Sequence, residues 1–276
     1  MTWRDAPEPD VPALQFTGWL RVVLRGVPLA LLVFGGFALL LLIRLIERPL
    51  FGAHRPVTPH ITRGVCRAAL WVLGIAFQVT GTPMRHPGGV VCNHASWLDI
   101  FALNAAQLVY FVSKDAVAGW PGIGWLARGV GTVFIRRRAR DAGAQKTTFE
   151  TRLQAGHKLL FFPEGTSSDG KQVLPFKSTL FAAFFSDDLR PASYIQPVSL
   201  RYVAPPQQPS HFYGWWGDME FAPHLLQVLA APRQGRIALV FHAPLRVAEF
   251  TNRKTLSAAC EEAVRRGFTA LAPSAP

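Results

Sequence analysis

The segment Asn93-His94-Ala95-Ser96-Trp97-Leu98-Asp99 sets an imidazole and a carboxylate five residues apart, just after an apolar run that ends at Cys92. An imidazole exchanges a proton near neutral pH and can serve as a general base. A carboxylate on its other ring nitrogen fixes the tautomer and stabilises the imidazolium. The offset constrains the geometry. On a continuous α-helix it turns the two side chains about 140° apart. The pair can meet only if His94 lies in the turn before a helix and bends back over its first turn, with Ser96 as N-cap. A competing reading is structural. Ser96-x-x-Asp99 is close to a capping box, in which Asp99 merely ties down backbone amides. On these residues alone the two readings stand level.

Two further blocks carry candidate chemistry. In Phe161-Phe162-Pro163-Glu164-Gly165-Thr166-Ser167-Ser168-Asp169-Gly170 a hydrophobic strand runs into a turn of small and hydroxyl residues. Successive amides in such a turn can hold an anion or a polar head group, and Glu164 can accept hydrogen bonds from a hydroxyl substrate. An ordinary strand-to-helix turn is the plain alternative. In Gly131-Thr132-Val133-Phe134-Ile135-Arg136-Arg137-Arg138-Ala139-Arg140 a strand delivers an arginine cluster to its C-terminal end. Side-chain alternation sends Arg136 and Arg137 to opposite faces, and guanidinium suits phosphate through paired donors. Any single arginine is otherwise a solvated surface charge. Lys114 and Lys177 are further cations at element boundaries.

Several other chemistries have no support. There is no G-x-S-x-G elbow and no Walker A pattern. Gly122-Ile123-Gly124-x-x-Ala127 imitates a dinucleotide fingerprint, but it follows Gly119-Trp120-Pro121 rather than a strand. His86, His94 and Cys92 lack further spaced ligands, so no metal site is expected. Cys66, Cys92 and Cys260 are far apart and read as buried free thiols.

The elements that must position these residues alternate. Candidate strands are 89–92, 108–113, 132–135, 158–162, 194–200 and 236–242. Candidate helices are 96–106, 142–155, 177–186, 222–230 and 251–266, with Asp141 and Thr251 as N-caps and Gly267 as a C-terminal stop. Strands buried on both faces with helices between them give an α/β fold, a mixed and mostly parallel sheet flanked by helices. The organisation expected is a tail and membrane-anchoring helices over residues 1–80, an α/β domain over 81–270 and a loose tail over 271–276.

Residues 26–43 carry no charge and sit between Arg25 and Arg44, at the short end of what spans a bilayer core of about 30 Å. The apolar stretch 68–79 pairs with this helix, lies in the membrane interface or forms a core helix of the following domain. Residues 1–12 read as a loose tail. The 276 residues are 50% hydrophobic and 17% charged, against about 25% charged in ordinary soluble domains. The net charge is +12. That charge suits nucleic acid or an anionic membrane, and the aliphatic surplus favours the membrane. The basic residues after the span place the C-terminal bulk on the cytoplasmic side of an inner, cytoplasmic membrane.

Together the blocks resemble the glycerolipid acyltransferase family, which includes 1-acylglycerol-3-phosphate acyltransferases. The resemblance rests on His94-x-x-x-x-Asp99, Phe134-Ile135-Arg136-Arg137, Phe162-Pro163-Glu164-Gly165-Thr166 and Ile195-Gln196-Pro197-Val198, in that order, and covers residues 80–200. It implies that His94 is the general base and Asp99 its partner, and that the lysolipid oxygen attacks an acyl-carrier-protein or coenzyme A thioester directly. It further implies that Lys114 and Arg137 are head-group cations and that Glu164, Gly165 and Thr166 form the acceptor turn. No cofactor beyond the thioester co-substrate is implied, and no nucleic acid. Many family members that form phosphatidic acid carry arginine directly after Glu-Gly-Thr, where this chain has Ser167. Residues 164–170 through 174–178 also resemble acyltransferases acting on lyso-ornithine lipid. Lysophosphatidate is the acceptor expected first, giving phosphatidic acid, and lyso-ornithine lipid is the alternative. Two rival classes are a basic lipid- or nucleic-acid-binding protein without catalysis, and a thioester hydrolase that uses the same His94 and Asp99.

Overall fold

The computed structural model describes residues 2–9, 13–135 and 142–272. Two helices open the chain, α1 (Phe16–Phe51) and α2 (Thr58–Leu73). There follow β1 (Ala76–Thr80), β2 (Gly88–Cys92), α3 (Asp99–Ala106), β3 (Tyr110–Lys114), α4 (Ile123–Val130) and β4 (Val133–Ile135). The chain continues through α5 (Ala142–Gln154), β5 (Lys158–Phe161), β6 (Tyr194–Val203), α6 (Phe221–Ala230), β7 (Arg236–Phe241), β8 (Leu245–Arg246) and α7 (Arg253–Ala270).

Among the described residues the strands form one eight-stranded sheet in the order β1-β7-β6-β2-β5-β3-β4, with β8 on the start of β6. The pairs β6-β2, β2-β5, β5-β3 and β3-β4 are parallel, whereas β7 and β8 run antiparallel to β6. The sheet is therefore mixed and mostly parallel, as expected. Each central strand is apolar on both faces because each face is covered. Val90, Cys92, Phe111, Leu160, Val198 and Leu200 pack with α2, α3 and α6. Val91, Val112, Leu159, Phe161 and Ile195 alternate to the other face, against Phe149 of α5 and Leu256 and Cys260 of α7.

The ends of the chain depart from the sequence reading in instructive ways. The apolar stretch 68–79 is not one helix: α2 stops at Gly74 in a left-handed turn, and Ala76–Thr80 pairs with β7 as an edge strand. Ala69, Leu70 and Leu73 are core residues, so this part of α2 belongs to the domain core. Residues 2–9 are a docked segment rather than a loose tail. Trp3 packs edge-on against Trp216, Ala6 accepts the Trp216 indole N–H, and Arg4 pairs with Asp218. The N-cap of α7 is Asn252, not Thr251, and it forms a capping box with Thr255. Gly267 does not end α7. A Cβ there would lie 2.4 Å from Ser199 Oγ and 2.5 Å from His242 Nε2, so glycine allows α7 to close on β6. Asp141 lies outside the described residues.

Helix α1 is one long apolar helix of 36 residues, about 54 Å at 1.5 Å per residue. Phe16, Leu24, Leu31, Phe34, Leu42, Leu45 and Leu50 on it are exposed. Its basic flanks have local work. Arg21 and Arg25 donate to the carbonyls of Leu229, Ala230 and Ala231 at the end of α6. Arg63 and Arg67 on α2 do the same for Ala105 and Ala106 at the end of α3. Cations there meet the negative end of the helix dipole. Part of the basic surplus therefore clamps α1 and α2 to the rest of the fold.

Candidate active site

Because β2, β5, β3 and β4 are parallel, their C-terminal ends share one edge of the sheet, where α/β folds gather functional loops. His94 follows β2 at that edge. Asn93 sets up the turn: its side chain donates to Leu200 O and accepts from Leu200 N, both at 2.8 Å, and so continues the pairing onto β6. The main chain is then free to bend. The amide of His94 donates to Glu164 Oε2 at 2.8 Å, and its carbonyl accepts from the Ser168 amide at 3.0 Å. The ring stacks on Phe162, centroids 4.0 Å apart. Both the backbone and the ring of His94 are thus held by the turn after β5.

Asp99 is the first residue of α3 and is fully buried. Its Oδ2 lies 2.6 Å from His94 Nδ1. The same oxygen accepts the amides of Ala95 at 2.9 Å and Ser96 at 3.1 Å. Its Oδ1 accepts the hydroxyl of Tyr202, on β6, at 2.6 Å. The contacts that each of the two readings requires are therefore present together. One carboxylate ties down the loop amides and also faces the imidazole, because His94 sits in the turn and folds back over the start of α3. Ser96 contributes its hydroxyl to the Leu98 amide, one residue ahead of the helix. A carboxylate opposite Nδ1 makes that nitrogen the N–H and leaves the lone pair on Nε2. Among the described residues nothing bonds Nε2, and the side chain is 21% exposed. Trp97, inside the same loop, donates its indole N–H to His224 of α6 at 2.8 Å, a ring whose basicity burial pushes down to about 4.

The turn Phe162-Pro163-Glu164-Gly165-Thr166 is built around Glu164. Its Oε1 accepts the Leu174 amide at 2.8 Å while Oε2 accepts that of His94, and it is 1% exposed. Glu164 is therefore not a strand-tip acceptor open to a substrate hydroxyl; it acts on the site through the main chain. Burial pushes its carboxyl up to about 8, against the two amide donors. Gly165 takes the left-handed conformation, φ 75°, that a side chain disfavours. Thr166 Oγ1 accepts the amide of Trp3 at 3.3 Å, which brings the N-terminal segment against the turn.

Lys114 ends β3 and is exposed. Phe111 pairs with Leu160 and Leu160 with Val90, so Lys114 stands at the same edge as His94, two strands across, about 10 Å in sheet spacing. Lys114 pairs in turn with Ile135, the last residue of β4. Arg137 lies outside the described residues. Sequence reasoning missed Tyr202, Phe162, Ser168 and Trp3. Tyr202 lay beyond the expected end of its strand at Leu200, Trp3 carries no motif signal, and Phe162 and Ser168 stood inside the Phe161–Gly170 block without a role of their own.

An imidazole with one free nitrogen, a buried carboxylate behind it and a turn of small residues beside it form an arrangement able to take a proton from an incoming hydroxyl. The fold and this site define an acyltransferase, and a family model described as Acyltransferase matches residues 76–201. The chain belongs to this family. It is 57% identical over 264 residues to the lyso-ornithine lipid O-acyltransferase of Rhodobacter capsulatus, covering 96% of this chain and 95% of that one. It is 38% identical over 140 residues to the 1-acyl-sn-glycerol-3-phosphate acyltransferase of Neisseria gonorrhoeae, covering 49% and 53%. The crystal structure of the 1-acyl-sn-glycerophosphate acyltransferase PlsC from Thermotoga maritima shares the fold, with a TM-score of 0.60 at 21% identity over 91% of this chain and 100% of that one. The expectation of lysophosphatidate as first acceptor is corrected by these matches. The end-to-end sequence similarity is to a lyso-ornithine lipid enzyme, and the Neisseria lysophosphatidate enzyme matches about half of the chain in sequence.

Proposed function

We propose that the protein moves a fatty acyl group from an acyl thioester to the free hydroxyl of lyso-ornithine lipid, forming ornithine lipid. The observation that carries this reading is the 57% identity across nearly the whole of both chains. The absence of a cation directly after Thr166 agrees with it, since the ornithine head group has no phosphate to neutralise.

In this mechanism His94 Nε2 takes the proton of the acceptor hydroxyl as its oxygen attacks the thioester carbonyl. The tetrahedral intermediate collapses, the C–S bond breaks, and the imidazolium returns the proton to the departing thiolate. Asp99 holds the ring and stabilises its charged form. General-base catalysis of this kind is typically worth about 10² to 10⁴ in rate. Lys114 and Arg137 serve as head-group cations, suited to the ornithine carboxylate. Gly165 and Thr166 border the acceptor, and Glu164 positions His94. The donor is acyl carrier protein or coenzyme A thioester.

The exposed apolar side of α1 holds the domain at an anionic membrane, the inner membrane, with the site on the cytoplasmic side. Helix α1 then acts as the anchoring region, while α2 and β1 are built into the domain that carries the site. The experiment is an acceptor panel on the full chain in membranes, with lyso-ornithine lipid and lysophosphatidate each offered with both thioesters. Labelled ornithine lipid as the dominant product is expected. Transfer to lysophosphatidate alone, or release of free fatty acid without any acceptor, overturns the reading.

A further inference from the structure

The Asp99 carboxylate sits wholly inside the protein, and among the described residues no lysine or arginine pairs with it. A buried charge persists only when hydrogen bonds satisfy it. Oδ2 has three donors, namely His94 Nδ1 and the amides of Ala95 and Ser96, all from its own loop. Oδ1 has one donor, the Tyr202 hydroxyl, from a strand 103 residues further along the chain. Val198, Leu200 and Tyr202 share the face of β6 that packs under α3, so the alternation of the strand aims the phenol at the carboxylate.

We propose that Tyr202 is a positioning residue for acyl transfer: its hydroxyl holds Asp99 through the oxygen that His94 does not use, and tunes how strongly that carboxylate draws a proton onto the imidazole. This rests on the reading of His94 as general base. The bond at Oδ1 fixes the carboxylate plane and thereby the ring that Oδ2 orients. It also withdraws negative charge from the carboxylate. A carboxylate without it is a stronger acceptor toward Nδ1, and the imidazole beside it holds its proton to higher pH.

The titratable and charged groups around the pair are few. Cys92 ends β2, Glu164 lies in the turn after β5, Tyr213 packs behind Tyr202, and Arg265 on α7 acts through Glu164. Burial holds the Cys92 thiol and the Tyr202 phenol well above their ordinary ranges, and the Tyr213 phenol up to about 12. Tyr202 therefore remains a donor throughout the working range. Burial pushes the Glu164 carboxyl up to about 8, but it is common to the wild type and the variants below and cancels in the comparison.

The test is the pH profile of kcat/KM for transfer from a labelled acyl thioester to lyso-ornithine lipid by the full chain in membranes. Tyr202→Phe keeps the ring and removes the hydroxyl. It should lower kcat about tenfold, the loss expected for one hydrogen bond to a charged group. KM for the acceptor should stay within about twofold of wild type. The acid limb should move up by about one pH unit. Replacing Tyr202 with 3-fluorotyrosine keeps the fold and strengthens the donor, and should move the limb down. A slower Phe variant whose acid limb has not moved shows plain structural support and overturns the proposal, as does unchanged kcat. Should the Phe variant fail to fold, the direction of the fluorotyrosine shift decides. His94→Ala is run alongside: transfer by that variant refutes the base itself, while transfer by none of the proteins refutes the acceptor, and both outcomes are separate from the Tyr202 result.

Discussion

Glu164 holds His94 by its backbone and not by its ring. Oε2 accepts the His94 amide and Oε1 the Leu174 amide, each at 2.8 Å. One buried side chain thereby joins the loop after β2 to the segment between β5 and β6. Glu164→Gln replaces one of two acceptors with an NH₂ that faces an amide donor. It should cost about 1 to 3 kcal/mol of stability through the amide left unpaired, visible as a lower Tm. Burial raises this carboxyl from near 4.5 to about 8. The folded chain then keeps a proton that the unfolded chain has released, so this contribution to wild-type stability falls as pH rises from about 5 to about 8. The glutamine variant lacks that slope. The Tm gap between the two should narrow over this window, and a constant gap contradicts the assignment.

Asp99 carries two duties, and Asp99→Asn separates them. Asparagine offers one acceptor oxygen where the carboxylate serves four donors. It should lower Tm by loosening the loop, and it should lower kcat by about 10⁴ through the wrong ring tautomer, as in serine proteases. Parallel melting and turnover measurements check both. A loss of stability with turnover intact would leave Asp99 as a cap alone.

The closeness of α7 to β6 is set at Gly267. Gly267→Ala puts a methyl into Ser199 and His242 and should cost about 1 to 3 kcal/mol by overpacking. Thermal melting reads this directly. An unchanged Tm would mean that α7 yields at no cost.

The exposed side of α1 gives a further test. Leu31 is 70% exposed in the middle of the apolar helix. Leu31→Lys removes nothing from the core, yet a lysine at the centre of an inserted helix costs about 2.5 to 3.5 kcal/mol. Sedimentation with liposomes should fall about a hundredfold in partition while the melting curve is retained. Equal partition of the two proteins would detach α1 from the membrane.

Much of this was legible in the chain, for identifiable reasons. Six strands show as short apolar runs, because strands covered on both faces need no polar alternation. The helical period gave the one condition under which His94 and Asp99 can meet, and the structure fulfils it. What escaped was decided by tertiary contact. The strand Ala76–Thr80 merged with α2 because both are apolar and only Gly74 divides them. Gly267 looked like a stop, yet it is a site of close approach. Leu108 and Val109 are apolar and yet precede β3 proper, and Lys177–Ser186 forms a 3-10 turn at Leu180–Phe185 where an α-helix was expected. Helix α4 was not anticipated; its eight residues follow Gly119-Trp120-Pro121-Gly122 and include Gly124 and Gly129. Glu164 and Tyr202 gain their roles from partners 70 and 103 residues away, which no local pattern encodes.

The central claim is that the free nitrogen of His94 deprotonates the hydroxyl of lyso-ornithine lipid. It is tested most directly by incubating the wild type and a His94→Ala variant of equal Tm with labelled acyl thioester and lyso-ornithine lipid, and following labelled ornithine lipid. Steady product is expected from the wild type and none above background from the variant. Comparable product from both proteins would contradict it.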